Sequence, residues 1–210
     1  MLLQLFDRLN EHYDVQAPWW PAQSAFEMMV GAVLTQNTRW ENVQMALNNL
    51  RNLALLAPAT MLASENETLQ MAIRPTGFFK QKSATLHRLC AHLLHTEGEN
   101  FDRPLAQKRQ EWLSIKGIGP ETADSILLYG YQQPIFVIDA YTLRIFKRLG
   151  RFEPSVRYAQ AQAWMMQQLP NEVALFQCFH GLIVEHAKAH CRKQPCCQGC
   201  PLQSECAYVD

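Results

Sequence analysis

Apolar residues along this chain recur at spacings of three and four, and strict alternation is rare. That period belongs to helices with one buried face rather than to half-buried strands. Phe26, Met29, Val30, Val33 and Leu34 form one stripe, and Val43, Met45, Leu47 and Leu50 a second. Leu86, Leu89, Leu93 and Leu94 mark a third, and Ile126, Leu127 and Leu128 a fourth. Leu143, Ile145 and Phe146 follow, then Ala163, Trp164, Met165 and Leu169, then Leu175, Phe179, Leu182 and Ile183. Breakers stand between them: Pro18 and Pro21, Pro58, Pro75-Thr76-Gly77, Gly117 to Pro120, Gln132-Gln133-Pro134, Gly150 and Pro154, and Pro170. The run Pro134-Ile-Phe-Val-Ile138 has strand composition but no second run to pair with. The pattern predicts an all-α protein.

Composition bounds this picture without changing it. The 210 residues suffice for one domain or two compact lobes at roughly 150 residues per domain. Apolar residues are 48% and charged residues 18%, which excludes a disordered chain. Nineteen basic residues balance nineteen acidic ones, which excludes coating nucleic acid by bulk charge but allows a local basic face. The longest uncharged stretches, Ser125–Ile138 and Tyr158–Asn171, are 14 residues each, too short to span a bilayer. Asp7 and Arg8 interrupt the first apolar run, so no secretory leader is expected. A soluble, cytoplasmic, monomeric protein is the expectation.

The seven cysteines are unevenly placed: Cys90 and Cys178 stand alone, and Cys191, Cys196, Cys197, Cys200 and Cys206 crowd the end. A disulfide scaffold would spread them, whereas a tight cluster points to metal.

A second cluster of signals lies at residues 106–130. A helix over Gln107–Ile115 runs into Lys116-Gly117-Ile118-Gly119-Pro120, and a second helix starts at Glu121. Two glycines around one apolar residue make a tight turn that another molecule can approach closely. Pro120 suits the first helical position and Glu121 the positive helix end. Such a turn presents amides to a phosphate, or is an ordinary helical corner.

The stretch Leu-x-x-Ile115-Lys-Gly-Ile-Gly-Pro-Glu-Thr-Ala-Asp124, followed by Val137-Ile138-Asp139, resembles the helix-hairpin-helix DNA glycosylase superfamily. The resemblance covers nearly the whole chain. Gly31-Ala-Val-Leu-Thr-Gln-Asn-Thr38 is similar to the helix end that presents a DNA-probing glutamine, here Gln36. Arg74-Pro-Thr-Gly-Phe-Phe-Lys-Gln-Lys82 is similar to the wedge loop, here with Phe78. The resemblance implies two helical lobes, residues 22–132 and residues 1–21 with 133–210, with the site in the cleft between them. It makes Asp139 the essential carboxylate, which stabilises positive charge at C1′ as the glycosidic bond breaks. On its own, Asp139 is also a good helix cap.

Glu121 departs from the bifunctional members, which carry a lysine there that attacks C1′ and forms a Schiff base. A carboxylate forms no imine, so the expected enzyme is a monofunctional glycosylase without lyase activity. Within the superfamily the chain resembles the endonuclease III-like 3-methyladenine DNA glycosylases most, through Trp19-Trp20-Pro21, Leu34–Thr38, Lys116–Gly119, Glu121 and Phe179-His-Gly-Leu-Ile-Val-Glu185. That resemblance places Trp19, Trp20, Pro21, Trp40 and Glu121 at the base pocket. Indole faces attract a cationic methylated purine by roughly 0.5–2 kcal/mol per contact. The expected partner is double-stranded DNA with a damaged base, which must leave the stack to be cut. Gln36 then fills the gap, Phe78 wedges, and Lys116, Gly117, Ile118 and Gly119 hold phosphate. Arg144, Lys147 and Arg148 are assigned to the DNA face, or to a solvated helix face. An endonuclease III-like enzyme for oxidised or mismatched bases and a noncatalytic DNA-binding module are the alternatives.

Cys191-x5-Cys197-x2-Cys200-x5-Cys206 brings four thiolates together, which suits a [4Fe–4S] cluster or zinc. The segment resembles the endonuclease III cluster loop, which usually has six residues between its first two cysteines. Here there are five, and Cys196 is an alternative to Cys197.

Overall fold

The computed structural model describes residues 2–96 and 103–208. Among these are eleven α-helices and no strand. They are α1 (Leu2–Tyr13), α2 (Ala25–Leu34), α3 (Trp40–Asn52), α4 (Pro58–Ala63), α5 (Asn66–Ile73) and α6 (Phe79–His95). Then follow α7 (Leu105–Ser114), α8 (Pro120–Ser125), α9 (Ala140–Arg148), α10 (Tyr158–Gln168) and α11 (Val173–Ala189). Pro134–Ile138 is extended but pairs with nothing as a strand.

The chain forms two compact units. One is built from the chain up to Trp20 and again from Gln132 onward; the other is Pro21–Tyr131. Each is organised around a helix that is apolar on nearly all sides, and such a helix folds only if neighbours cover it. In the Pro21–Tyr131 unit this is α2, buried from Glu27 through Leu34. Ser24 caps it by accepting from the Glu27 amide at 3.1 Å. The other unit has α11 at its centre, buried from Phe176 through Val184. There α1 lays Leu5 and Leu9 inward, and Phe136 packs edge-on against Phe176 and Phe179.

The helical stripes predicted from spacing are present, but Met45, Leu94 and Ala163 are exposed and do not belong to the buried faces. In α3 the buried face is Val43, Ala46, Leu47 and Leu50, while Met45 is exposed. Each helical residue turns about 100° from the last, so Met45 falls off the face that its neighbours share.

A bidentate ion pair fixes the hairpin region. Arg109 Nε lies 2.6 Å from Asp124 Oδ1, and its terminal nitrogen donates to Oδ2 at 3.0 Å. Asp124 is fully buried. Arg109→Met should therefore lower stability by about 3–5 kcal/mol, the usual cost of removing one partner of a buried ion pair. Urea unfolding at neutral pH measures it, and a loss under 1 kcal/mol would show that Asp124 finds other donors.

Candidate functional site

Asp139 ends the extended segment and caps α9. Its Oδ1 accepts from the Thr142 amide and the Thr142 hydroxyl, both at 2.7 Å. Its Oδ2 faces the buried His180 of α11, with Nε2 at 3.7 Å. That separation exceeds a hydrogen bond but lies within electrostatic reach. Burial pushes the carboxyl up, yet His180 and the two Thr142 donors outweigh burial and hold it below the usual carboxylate range. Asp139 is thus a buried, charged carboxylate. The cap and the charge are one arrangement: Thr142 occupies Oδ1 and leaves Oδ2 turned towards His180.

Trp19 belongs to the same unit. Its ring meets His180 edge-on at 5.7 Å and Trp20 edge-on at 6.4 Å. Gly181 makes room for it, because a Cβ there would sit 2.4 Å from Trp19 Cγ. Lys188 Nζ lies 5.8 Å from the Trp19 ring centre and pairs with Glu185 at 2.9 Å. Sequence patterning gives His180 no role. Its signal is a histidine beside a glycine in a long, largely buried helix, where an imidazole needs a polar neighbour.

In the Pro21–Tyr131 unit, α7 and α8 flank the hairpin turn. Gly117 has φ +102°, and a Cβ there would sit 2.1 Å from Thr85 Oγ1, so only glycine fits. Gly119 has open space where a Cβ would stand. Ile118 is buried, and its amide closes the turn on the Ile115 carbonyl at 3.0 Å. Its side chain anchors the hairpin. Lys116 and Glu121 are exposed. After α8 the chain widens into one π-helical turn, Ile126–Gly130. A Cβ at Gly130 would meet Met29 Cε of α2 at 3.2 Å, which draws the hairpin's second helix against the central helix.

Gln36 follows the end of α2 and sends its amide to Gly117 O at 3.1 Å and to Thr122 Oγ1 at 3.0 Å. Phe78 precedes α6 with φ 46° and ψ 29° and is 62% exposed. A bulky side chain that is both left-handed and solvent-facing is uncommon, and such strain clusters at working sites. Trp40 is part-buried at the start of α3, and Pro21 is exposed.

The basic helix α9 behaves differently from its sequence assignment. Arg144 Nε donates to Cys191 O at 2.8 Å. Arg148 donates to Cys191 Sγ at 3.2 Å, Arg192 O at 2.7 Å and Lys193 O at 3.0 Å. Lys147 donates to Pro154 O at 2.7 Å. Arg144 and Arg148 thus satisfy carbonyls at the start of the cysteine loop, and Lys147 satisfies the Pro154 carbonyl.

The cysteine loop closes on a pocket lined by Cys191, Cys196, Cys197, Cys200 and Cys206, with Ile145, Leu149 and Leu202 as apolar wall. It encloses about 350 Å³ of empty space, counting its open mouth. Among the described residues, no three His, Cys, Asp or Glu groups are gathered to hold a metal ion. Burial, together with charge on Cys191, Cys197 and Cys206, pushes the Cys200 thiol up. Cys196 is exposed, whereas the other four loop cysteines are part-buried.

Comparison with known proteins bears on this arrangement. The family described as HhH-GPD superfamily base excision DNA repair protein matches residues 30–170. A protein of Methanocaldococcus jannaschii, provisionally named a DNA repair glycosylase, is 38% identical over 98% of this chain and 96% of its own length. The crystal structure of the Helicobacter pylori 3-methyladenine DNA glycosylase bound to 1,N6-ethenoadenine superposes with a TM-score of 0.75. It is 30% identical, over 89% of this chain and 95% of that one. An endonuclease III in non-covalent complex with DNA shares the fold at a TM-score of 0.83 and 22% identity, over 98% of this chain and 93% of that one.

Proposed function

The chain belongs to the HhH-GPD superfamily of base excision DNA repair proteins and is a DNA glycosylase, and we propose that it is a monofunctional one that excises alkylated purines such as 3-methyladenine. The observation that carries this reading is the pairing of a charged, buried Asp139 with a hairpin that offers Glu121 where an imine-forming lysine would stand. As the N-glycosidic bond lengthens, C1′ and the ring oxygen gain positive charge. The Asp139 carboxylate stabilises that charge and orients the attacking water. Water adds to C1′, the base leaves with the bonding electrons, and an abasic site remains. With no amine in the hairpin position, no covalent intermediate forms. The endonuclease III–DNA complexes that share this fold support DNA as the partner.

We assign Trp19, Trp20, Pro21, Trp40 and Glu121 to recognition of the extruded base, the three indoles offering aromatic faces. A 3-methylated adenine is cationic, so its bond is already weakened and stacking attracts it more than neutral adenine. Gln36 and Phe78 act on the duplex, one filling the vacated stack and the other wedging. Lys116, Gly117 and Gly119 take phosphate. The 30% identity to a 3-methyladenine glycosylase supports this substrate over an oxidised pyrimidine.

The reading is tested on matched duplexes carrying 3-methyladenine or thymine glycol. Excision should be fastest on 3-methyladenine, and borohydride should trap no protein–DNA adduct. Trp40→Ala should cost about 1–3 kcal/mol of transition-state stabilisation, as for loss of one stacked face, and Trp40→Phe should retain most activity. A preference for thymine glycol with a trapped adduct would place the enzyme among the pyrimidine-specific lyases.

Cys191, Cys197, Cys200 and Cys206 would hold a [4Fe–4S] cluster. The donor set fits: four soft thiolates in a compact loop suit a [4Fe–4S] cluster, with zinc as the alternative. The cluster would crosslink the C-terminal loop to itself, while Arg144 and Arg148 of α9 hold its Cys191 side by hydrogen bonds. Arg192 and Lys193 of the same loop would then be presented to phosphate.

A further inference from the structure

Lys82 occupies the first turn of α6 and is 4% exposed. Buried ammonium groups are rare and costly, and they usually sit beside a carboxylate. Lys82 instead donates to two main-chain carbonyls, Leu34 O at 2.8 Å and Thr76 O at 2.9 Å. Burial pulls its amine down to about 8. A methionine would fill the same space without that cost, so the donors themselves are what the position supplies.

The two carbonyls have something in common. Leu34 ends α2, and two residues later comes Gln36. Thr76 ends the 3₁₀ turn Arg74–Thr76, and two residues later comes Phe78. Both carbonyls lie at helix ends, where no further turn supplies a donor. The same helix also grips the hairpin: Arg88 donates to Lys116 O at 2.9 Å, and Thr85 packs where Gly117 has no Cβ. Lys82, Thr85 and Arg88 follow at steps of three on one face of α6, and Phe78 stands immediately before its first turn.

We infer that Lys82 is a positioning residue that sets the spacing between Gln36 and Phe78, with α6 as the common mount that registers both against the hairpin. The inference rests on the reading of Gln36 as gap filler and Phe78 as wedge. A plug and a wedge work on one duplex only if they arrive a fixed distance apart, and a rigid two-carbonyl pin meets that demand where two free loop ends would not.

The test uses a duplex with a tetrahydrofuran abasic analogue and 2-aminopurine in the opposite strand, so it does not depend on which base is excised. Insertion of Gln36 and Phe78 unstacks 2-aminopurine and raises its fluorescence. At saturating wild-type protein the rise should be full. Lys82→Met should lose most of it while its unfolding midpoint stays near the wild-type value. A merely structural role would lower the midpoint and leave the signal of the bound, folded protein intact. Full signal in Lys82→Met, with Gln36→Ala and Phe78→Ala both dark, would overturn the inference. Full signal in all three variants would instead overturn the plug-and-wedge reading beneath it. If Lys82→Met does not fold, Lys82→Gln, which keeps two N–H donors on a shorter stem, should give a partial rise. A full rise there would count against the pin.

Discussion

Asp139→Asn should lower base excision on the order of 10²–10³-fold, the usual effect of removing one preorganised electrostatic partner. Folding should be untouched. Asparagine caps helices as well as aspartate does, and its carbonyl oxygen can still accept from the Thr142 amide that now bonds Oδ1. What is lost is the negative charge that His180 and Thr142 maintain in a buried place. Because Oδ1 already accepts twice, Oδ2 is the oxygen left to act on C1′ or on water. Single-turnover excision on a lesion duplex, with fluorescence anisotropy for binding, separates the two effects. Binding should stay within the wild-type range. Near-normal excision in this variant would move the chemistry to another group.

Cys197→Ala should abolish iron binding and Cys196→Ala should leave it intact. The wild-type protein should carry about four irons per chain and be yellow-brown. Adjacent cysteines are hard to tell apart by spacing, and the structure separates them by environment. Cys197 is part-buried and lies close enough to Cys200 to press on its ionisation, whereas Cys196 is exposed. The Cys196 backbone is held in another way, its amide donating to His190 O at 2.8 Å. Iron and sulfide analysis of both variants reads the outcome directly. Loss of iron from Cys196→Ala alone would exchange the two assignments, and a colourless wild-type protein with one zinc per chain would replace the cluster.

Most of the helices and the hairpin were legible in the sequence, because the signals that specify them are local. A stripe such as Phe26 to Leu34 needs only the helical period to declare its buried face. Gly117 and Pro120 mark the turn through their own backbone restrictions. Asp139 was readable as a cap from the residues that follow it, and as a catalytic candidate from the Val-Ile-Asp motif.

What the sequence could not show are pairings between residues far apart in the chain. His180 meets Asp139 only because α11 packs against the segment that ends at Asp139. Arg144 and Arg148 read as a cationic run fit for DNA, but α9 turns them to the cysteine loop. Lys82 stands in the apolar register of Leu86 and Leu89, a visible oddity whose meaning depends on two carbonyls brought to it by other segments. Propensity and periodicity act within a few residues, so the all-helical chain, its turns and its candidate carboxylate follow from residue order. Which charge faces which partner follows from packing. Electrostatic and hydrogen-bond energies depend on distance and burial, and packing alone sets those.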